Sequence, residues 1–207
     1  IRRIIHFVSR KAMDIDSVGA ETVEQMYVAG LIHNYADLYD LREEDVQKLE
    51  RMGEKSARNV IEGIEQSKSR PFERVLFALG IRLVGETVAK KLAQVFKNMD
   101  ALMQASKDEI NAVPEIGDKI ADSLIAFFAV KKNAEIIQRL KNAGVQMELQ
   151  EEKTEKLSDI LSGKTVLISG VFEGYERDDL KKIVEAHGGK NASGVSAKLD
   201  FLLAGDN

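Results

Sequence analysis

The strongest constraint on this chain is a short pattern that returns four times. Around Gly19, Gly53, Gly85 and Gly117 stand IDSVGAETV, LERMGEKSA, IRLVGETVA and VPEIGDKIA. In each, an apolar residue directly precedes the glycine, another lies three places earlier (Ile15, Leu49, Ile81, Val113), and a small or aliphatic residue follows four places on. The glycines are 34, 32 and 32 residues apart, the near-constant period of a repeated supersecondary unit. A closer likeness runs at double that period. A gapless shift of 64 pairs Leu38 with Leu102, Val46 with Ile110, Met52 with Ile116, Lys55 with Lys119 and Ala57 with Ala121. The stretches at Gly19 and Gly85 match at a shift of 66. The unit is a pair of helical hairpins, duplicated.

Within one copy, Asp45–Leu49 makes a short amphipathic turn, and Ala57, Val60, Ile61 and Ile64 follow the glycine at helical spacing. The glycine is expected at a tight joint, where its missing Cβ permits unusual backbone angles and close approach of another surface. Ala57 and Ala121 are expected to face the first helix across the joint. Helical hairpins with glycine turns also serve as plain structure, so this pattern by itself assigns no chemistry.

Charge sharpens the reading. The formal net charge of −4 argues against a polyanionic partner, but its distribution is uneven. Residues 1–13 carry four bases and no acid, and residues 14–50 carry ten acids against two bases. Residues 51–100 reverse the balance with ten bases against six acids. The second helix of each hairpin begins with backbone N–H groups that have no internal partner, on the positive end of the helix dipole. Such a start accepts anions, phosphate above all. Lys55 and Lys119 follow their glycines by two places, Thr87 offers a hydroxyl, and Arg51, Arg58, Arg82, Lys90 and Lys91 surround the middle joints. Several joints of this kind at fixed separation suit a polyanion. Backbone amides and flexible bases read the phosphates of a duplex without sequence preference. The candidate DNA-contacting set is Gly19, Arg51, Gly53, Lys55, Arg58, Arg82, Gly85, Thr87, Lys90, Gly117 and Lys119.

Other chemistries find little footing. There is no cysteine for disulfides, thiol catalysis or thiolate-bound zinc, and His6, His33 and His187 are too scattered to suggest a metal site. No apolar run is long enough to span a bilayer, the opening IRRIIHFVSRKAM is not a signal peptide, and a cytoplasmic location is expected. The first residue is Ile, so a piece of a longer protein is expected. Glu43-Glu44-Asp45 and Asp178-Asp179 fall at helix starts, where acids offset the dipole, and Gly170-x-x-x-Gly174 lacks the Gly-Lys-Ser/Thr of a phosphate loop.

Past a charged linker the pattern changes. Thr165–Gly170 (TVLISG) is a short β-branched strand. ERDDLKKIVEAHGGK is an amphipathic helix with Leu180, Ile183 and Val184 inward and Gly188-Gly189 as its C-cap. Asp200–Gly205 (DFLLAG) is a further strand.

The four glycine segments resemble the helix-hairpin-helix motif, a DNA-binding element without sequence preference. Four in tandem, opening with HFVSRKAMDIDSVG and carrying LERMGEKSA and ALGIRLVGE, resemble the region after the zinc finger in bacterial NAD-dependent DNA ligases. The tail is similar to the first half of the BRCT domain that closes those ligases. The resemblance implies a mainly α chain: tandem hairpins over 1–148, a linker over 149–157, and a truncated α/β BRCT-like domain over 158–207. It implies duplex, nicked DNA and the catalytic domains of the same polypeptide as partners, with no membrane. It implies NAD, a divalent cation such as Mg and structural Zn for the full-length parent, and none of them in this piece. The family's adenylated lysine lies in Lys-x-Asp-Gly, which does not occur here, so no catalytic residue is expected and the chain alone should be inert. Ser169-Gly170 matches the place where some BRCT domains take phosphopeptides, but the partner lysine sits in a later helix absent here, and a packing role for Ser169 is expected. Two other readings compete: a hairpin module of another DNA-repair protein such as a nuclease subunit, and a helical protein-interaction scaffold.

Overall fold

The computed structural model describes residues 1–150, 157–172, 174–175, 177–192, 194–196 and 199–206. It divides into two compact units, 1–150 and 151–207. The expected linker 149–157 falls largely on residues outside those described. Its first residues belong to the helical unit, because Leu149 N–H donates to the Lys97 carbonyl and Glu148 bridges Asn98.

The first unit is helical: α1 Arg2–Val8, α2 Ala20–Val28, a 3-10 turn Tyr35–Asp40, α3 Glu43–Val46, α4 Glu54–Ser67, α5 Phe72–Ala78, α6 Glu86–Phe96, α7 Met99–Gln104, α8 Lys107–Asn111, α9 Asp118–Ala129 and α10 Lys131–Asn142. The duplication is visible in how elements start. Asn34 caps the 3-10 turn through the Ala36 N–H, and Asn98, 64 residues on, caps α7 through the Ala101 N–H. One core runs through the unit, with Phe7 stacked on Tyr35 at 4.6 Å. The expected small residues Ala57, Ala89 and Ala121, and Val23 in the first copy, are all fully buried. Arg139 of α10 ties the last helix to the 3-10 turn, with Asp37 at 2.7 Å and Asp40 beside it. Burial acts to raise the Asp37 carboxyl. The N–H groups of His33 and Asn34, and Arg139, outweigh it and hold that carboxyl below the usual range.

The second unit holds β1 Thr165–Ser169, α11 Arg177–Ala186, β2 Lys190–Asn191 and β3 Phe201–Ala204, in a parallel sheet of order β2-β1-β3. Val166, Ile168 and Val184 form its small core, with Leu161, Phe172 and Leu180 packed against it. Ile183, expected inward, is 43% exposed. It precedes Val184 by one place, a turn of about 100° on a helix, so the two cannot share a narrow stripe. Ser169 does not pack either: it is exposed at the end of β1, and its carbonyl accepts the Gly205 N–H at 2.8 Å.

Candidate nucleic-acid interface

The four joints are built alike, bond for bond. The N–H of the residue before each glycine donates to the carbonyl three places earlier: Val18 to Ile15, Met52 to Leu49, Val84 to Ile81, Ile116 to Val113, at 3.1–3.3 Å. Each glycine is then the N-cap of its helix, and its carbonyl accepts the N–H of Val23, Ala57, Ala89 or Ala121 at 2.9–3.2 Å. The apolar residues at the two ends of the turn face the core, and the glycine with the two residues after it faces solvent.

The glycines do not take the unusual backbone angles that the sequence suggested. Their φ values are −93°, −78°, −85° and −104°, with ψ near 180°, extended backbone that any residue adopts. The unusual angle lies two places earlier, where Ser17, Arg51, Leu83 and Glu115 take φ of 64°, 58°, 67° and 65°. A Cβ on any of the four glycines would meet nothing within 4 Å. Neither the joint's own conformation nor its packing demands glycine there. The remaining physical use of a missing Cβ is to let something outside the chain come close to the backbone.

What it would meet is a helix start with free donors. None of the four has a side-chain cap, whereas Asn34, Asn98 and Ser106 satisfy the N–H groups of neighbouring elements. Uncapped starts also occur at α3, α5 and α10. Among the described helix starts, only the joints combine a bare start with a glycine facing open space.

The structure sorts the candidate bases. Lys55, Lys90 and Lys119 are exposed and carry no ion pair among the described residues, and the Arg82 side chain is likewise free among them. Thr87 is exposed, and its hydroxyl bonds no other group among the described residues. Arg58 instead holds Glu54 at 2.8 Å with Glu43 at 3.9 Å, Arg51 has Glu50 at 3.8 Å, and Lys91 holds Glu115 at 2.6 Å. Arg70 and Arg74 are spent inside, donating to the Met13, Asp14, Ala12 and Arg10 carbonyls. Counting bases alone also overlooked an acid in the first turn of each joint helix (Glu21, Glu54, Glu86, Asp118). Three of these are engaged: Glu54 by Arg58, Glu86 by Lys11 at 2.9 Å, and Asp118 by the Asn111 amide at 2.9 Å.

The joints come in two pairs. In α4, Gly63 lies so close to the Asp16 carbonyl of the first joint that a Cβ would stand 2.4 Å from it. In α9, Ser123 donates its hydroxyl to the Arg82 carbonyl of the third joint at 2.6 Å. Gly19 thus sits with the helix of Gly53, and Gly85 with that of Gly117. Arg10 lines the same cleft as Gly19 and Ala20, giving a base to the joint whose own stretch, residues 14–41, holds no Lys or Arg. The structure identifies Arg10 and Lys11 as neighbours of the joints, and only folding brings them there.

Comparison with known proteins agrees with this pairing. Residues 9–66 match the family model described as SAM-like helix-hairpin-helix tandem, and residues 74–137 that of the helix-hairpin-helix motif. Residues 156–207 match the BRCA1 C Terminus (BRCT) domain. The chain is 58% identical to a DNA ligase of Phocaeicola vulgatus over 99% of its own length, 56% identical to one of Christiangramia forsetii over 100%, and 46% identical to one of Thermoanaerobacter sp. over 99%. It spans 31% of the length of each of those relatives.

Proposed function

We propose that this chain, so similar along its whole length to about a third of several DNA ligases, is the segment with which a nick-sealing ligase grips duplex DNA. The observation that carries the proposal is the fourfold joint: an extended glycine over open space, followed by helix amides that no side chain caps. A phosphate can approach to hydrogen-bonding distance of those amides because no Cβ stands in the way. The helix dipole favours its charge, and Lys55 and Lys119, unpaired among the described residues, close over it. Two pairs of joints would hold successive stretches of backbone, so the grip is indifferent to base sequence.

The parent reaction would join a 5′-phosphate to a 3′-hydroxyl in replication and repair in the cytoplasm. NAD, Mg and structural Zn would serve that parent through residues outside this chain. This chain has no cysteine and no Lys-x-Asp-Gly, and among the described residues no cluster of three or more His, Cys, Asp or Glu is suited to a metal. Catalytic segments of the same polypeptide would be its protein partners. Among the described residues no helix is long and apolar enough to cross a membrane. The BRCT match after the paired hairpins favours a ligase over a nuclease subunit.

A salt titration of binding to nicked duplex tests the grip. With four to six phosphates neutralised, the log–log slope should be roughly −4 to −5. Lys55→Ala with Lys119→Ala should flatten it by about two, one per lost contact. Arg58→Ala should change it less, because Glu54 already neutralises that guanidinium. A slope near zero would favour a protein scaffold.

A further inference from the structure

Leu83 is the wrong residue for its place in the fold, and the right one for a groove. It stands at φ 67°, a conformation that strains branched side chains, and 51% of its surface is in solvent. The equivalent positions hold Ser17, Arg51 and Glu115, so the turn does not call for an aliphatic side chain. Core packing does not call for one either, since Val84 is the residue buried beneath the turn. Leu83 instead borders a shallow cleft of about 420 Å³ whose other walls are Gly117, Asp118, Lys119 and Ile120, the opening turn of the helix in the paired joint. An exposed leucine therefore lies beside the start of a second glycine-started helix, with Arg82 next to it in the chain and Lys119 in the wall of the cleft.

We propose that Leu83 is an apolar wedge that enters the minor groove of the bound duplex between the joints at Gly85 and Gly117. The proposal rests on the joints being phosphate sites and adds what sits between them. The minor groove, about 6 Å wide against about 12 Å for the major, brings the phosphates of both strands within reach of joints paired this closely. Its near walls also put deoxyribose and base edges within reach of a side chain as short as leucine. Leucine forms no hydrogen bond and so selects no base pair. It gains by shedding water against sugar and base edges and by loosening a base step, as apolar wedges of minor-groove proteins do. Arg82, next in the chain, and Lys119, in the cleft wall, supply charge for the phosphates nearby.

The test sets Leu83→Asn beside the paired Lys55→Ala, Lys119→Ala variant, in the full chain, on nicked duplex carrying 2-aminopurine. Asn tolerates the left-handed conformation, so the melting temperature should be no lower than that of the unaltered chain. Affinity should fall roughly five- to ten-fold, with the salt slope unchanged because no ionic contact is lost. The rise in 2-aminopurine fluorescence on binding should disappear, and Leu83→Met should keep both affinity and fluorescence change. Unchanged affinity and fluorescence in Leu83→Asn, while the lysine variant weakens binding and flattens the slope, would overturn the wedge and leave the phosphate sites standing. If the lysine variant also changes nothing, the phosphate reading falls and the wedge with it.

Discussion

Residues 1–150 and the unit that follows them bury their apolar residues to different degrees, and the repeat explains the difference. In the helical unit, each hairpin offers an apolar face that other copies cover, so the core residues of all four joints are buried or nearly so. In the second unit the described core is Val166, Ile168 and Val184. Phe201 and Leu202 of β3 stand 50% and 55% exposed, although parallel strands are ordinarily covered on both faces. Duplication lets a chain supply its own cover, and among the described residues one helix on a three-stranded sheet does not do the same.

The comparison breaks most visibly if the two cores are not independent. Phe7→Ala removes a fully buried ring stacked on Tyr35 and should cost the helical unit about 3–5 kcal/mol. Urea unfolding followed by far-ultraviolet dichroism should show the main helical transition moving while a second, smaller transition stays in place. A single transition that moves as a whole would mean the units fold together. Hydrogen exchange then ranks them: amides of Val166–Ser169 should exchange faster than those of α4. Equal protection would show that the small core suffices for its sheet.

The smallest expected effect sharpens how the helical unit holds its last helix. Asp37 is held below its usual carboxyl range by the His33 and Asn34 amides and Arg139 despite partial burial, so its contribution is fully present above its unfolded pKa of about 4. It is lost as pH falls through the lower folded value. Arg139→Ala should therefore lower stability by about 0.5–1 kcal/mol at neutral pH, and the difference from the unaltered chain should shrink in acid. A loss that stays constant down to pH 2 would assign the role of Arg139 to packing.

Much of this was legible in one sequence. The fourfold glycine pattern and the shifts of 64 and 66 predicted paired hairpins, and every one of the glycines begins a helix. The strained positions before them were not legible, because Ser17, Arg51, Leu83 and Glu115 share no chemistry that would mark a left-handed turn. The division of labour among the bases was equally hidden. Arg70 and Arg74 look in sequence like Lys55 and Lys119, and only their neighbours in space show that the first two brace loop carbonyls while the others stay free.

The sequence by itself determined the local design, since hydrophobic period, glycine spacing and helix starts act between residues a few places apart. It also carried the likeness to DNA ligases, because that likeness is written residue by residue. Tertiary structure alone decided which joints pair, that Arg10 reaches the cleft at Gly19, and that Leu83 lies against the helix of Gly117. These depend on contacts beyond the reach of a helical turn, nine positions apart for Arg10 and Gly19 and 34 for Leu83 and Gly117. A side chain's charge or apolarity becomes a function only when packing has settled what stands beside it.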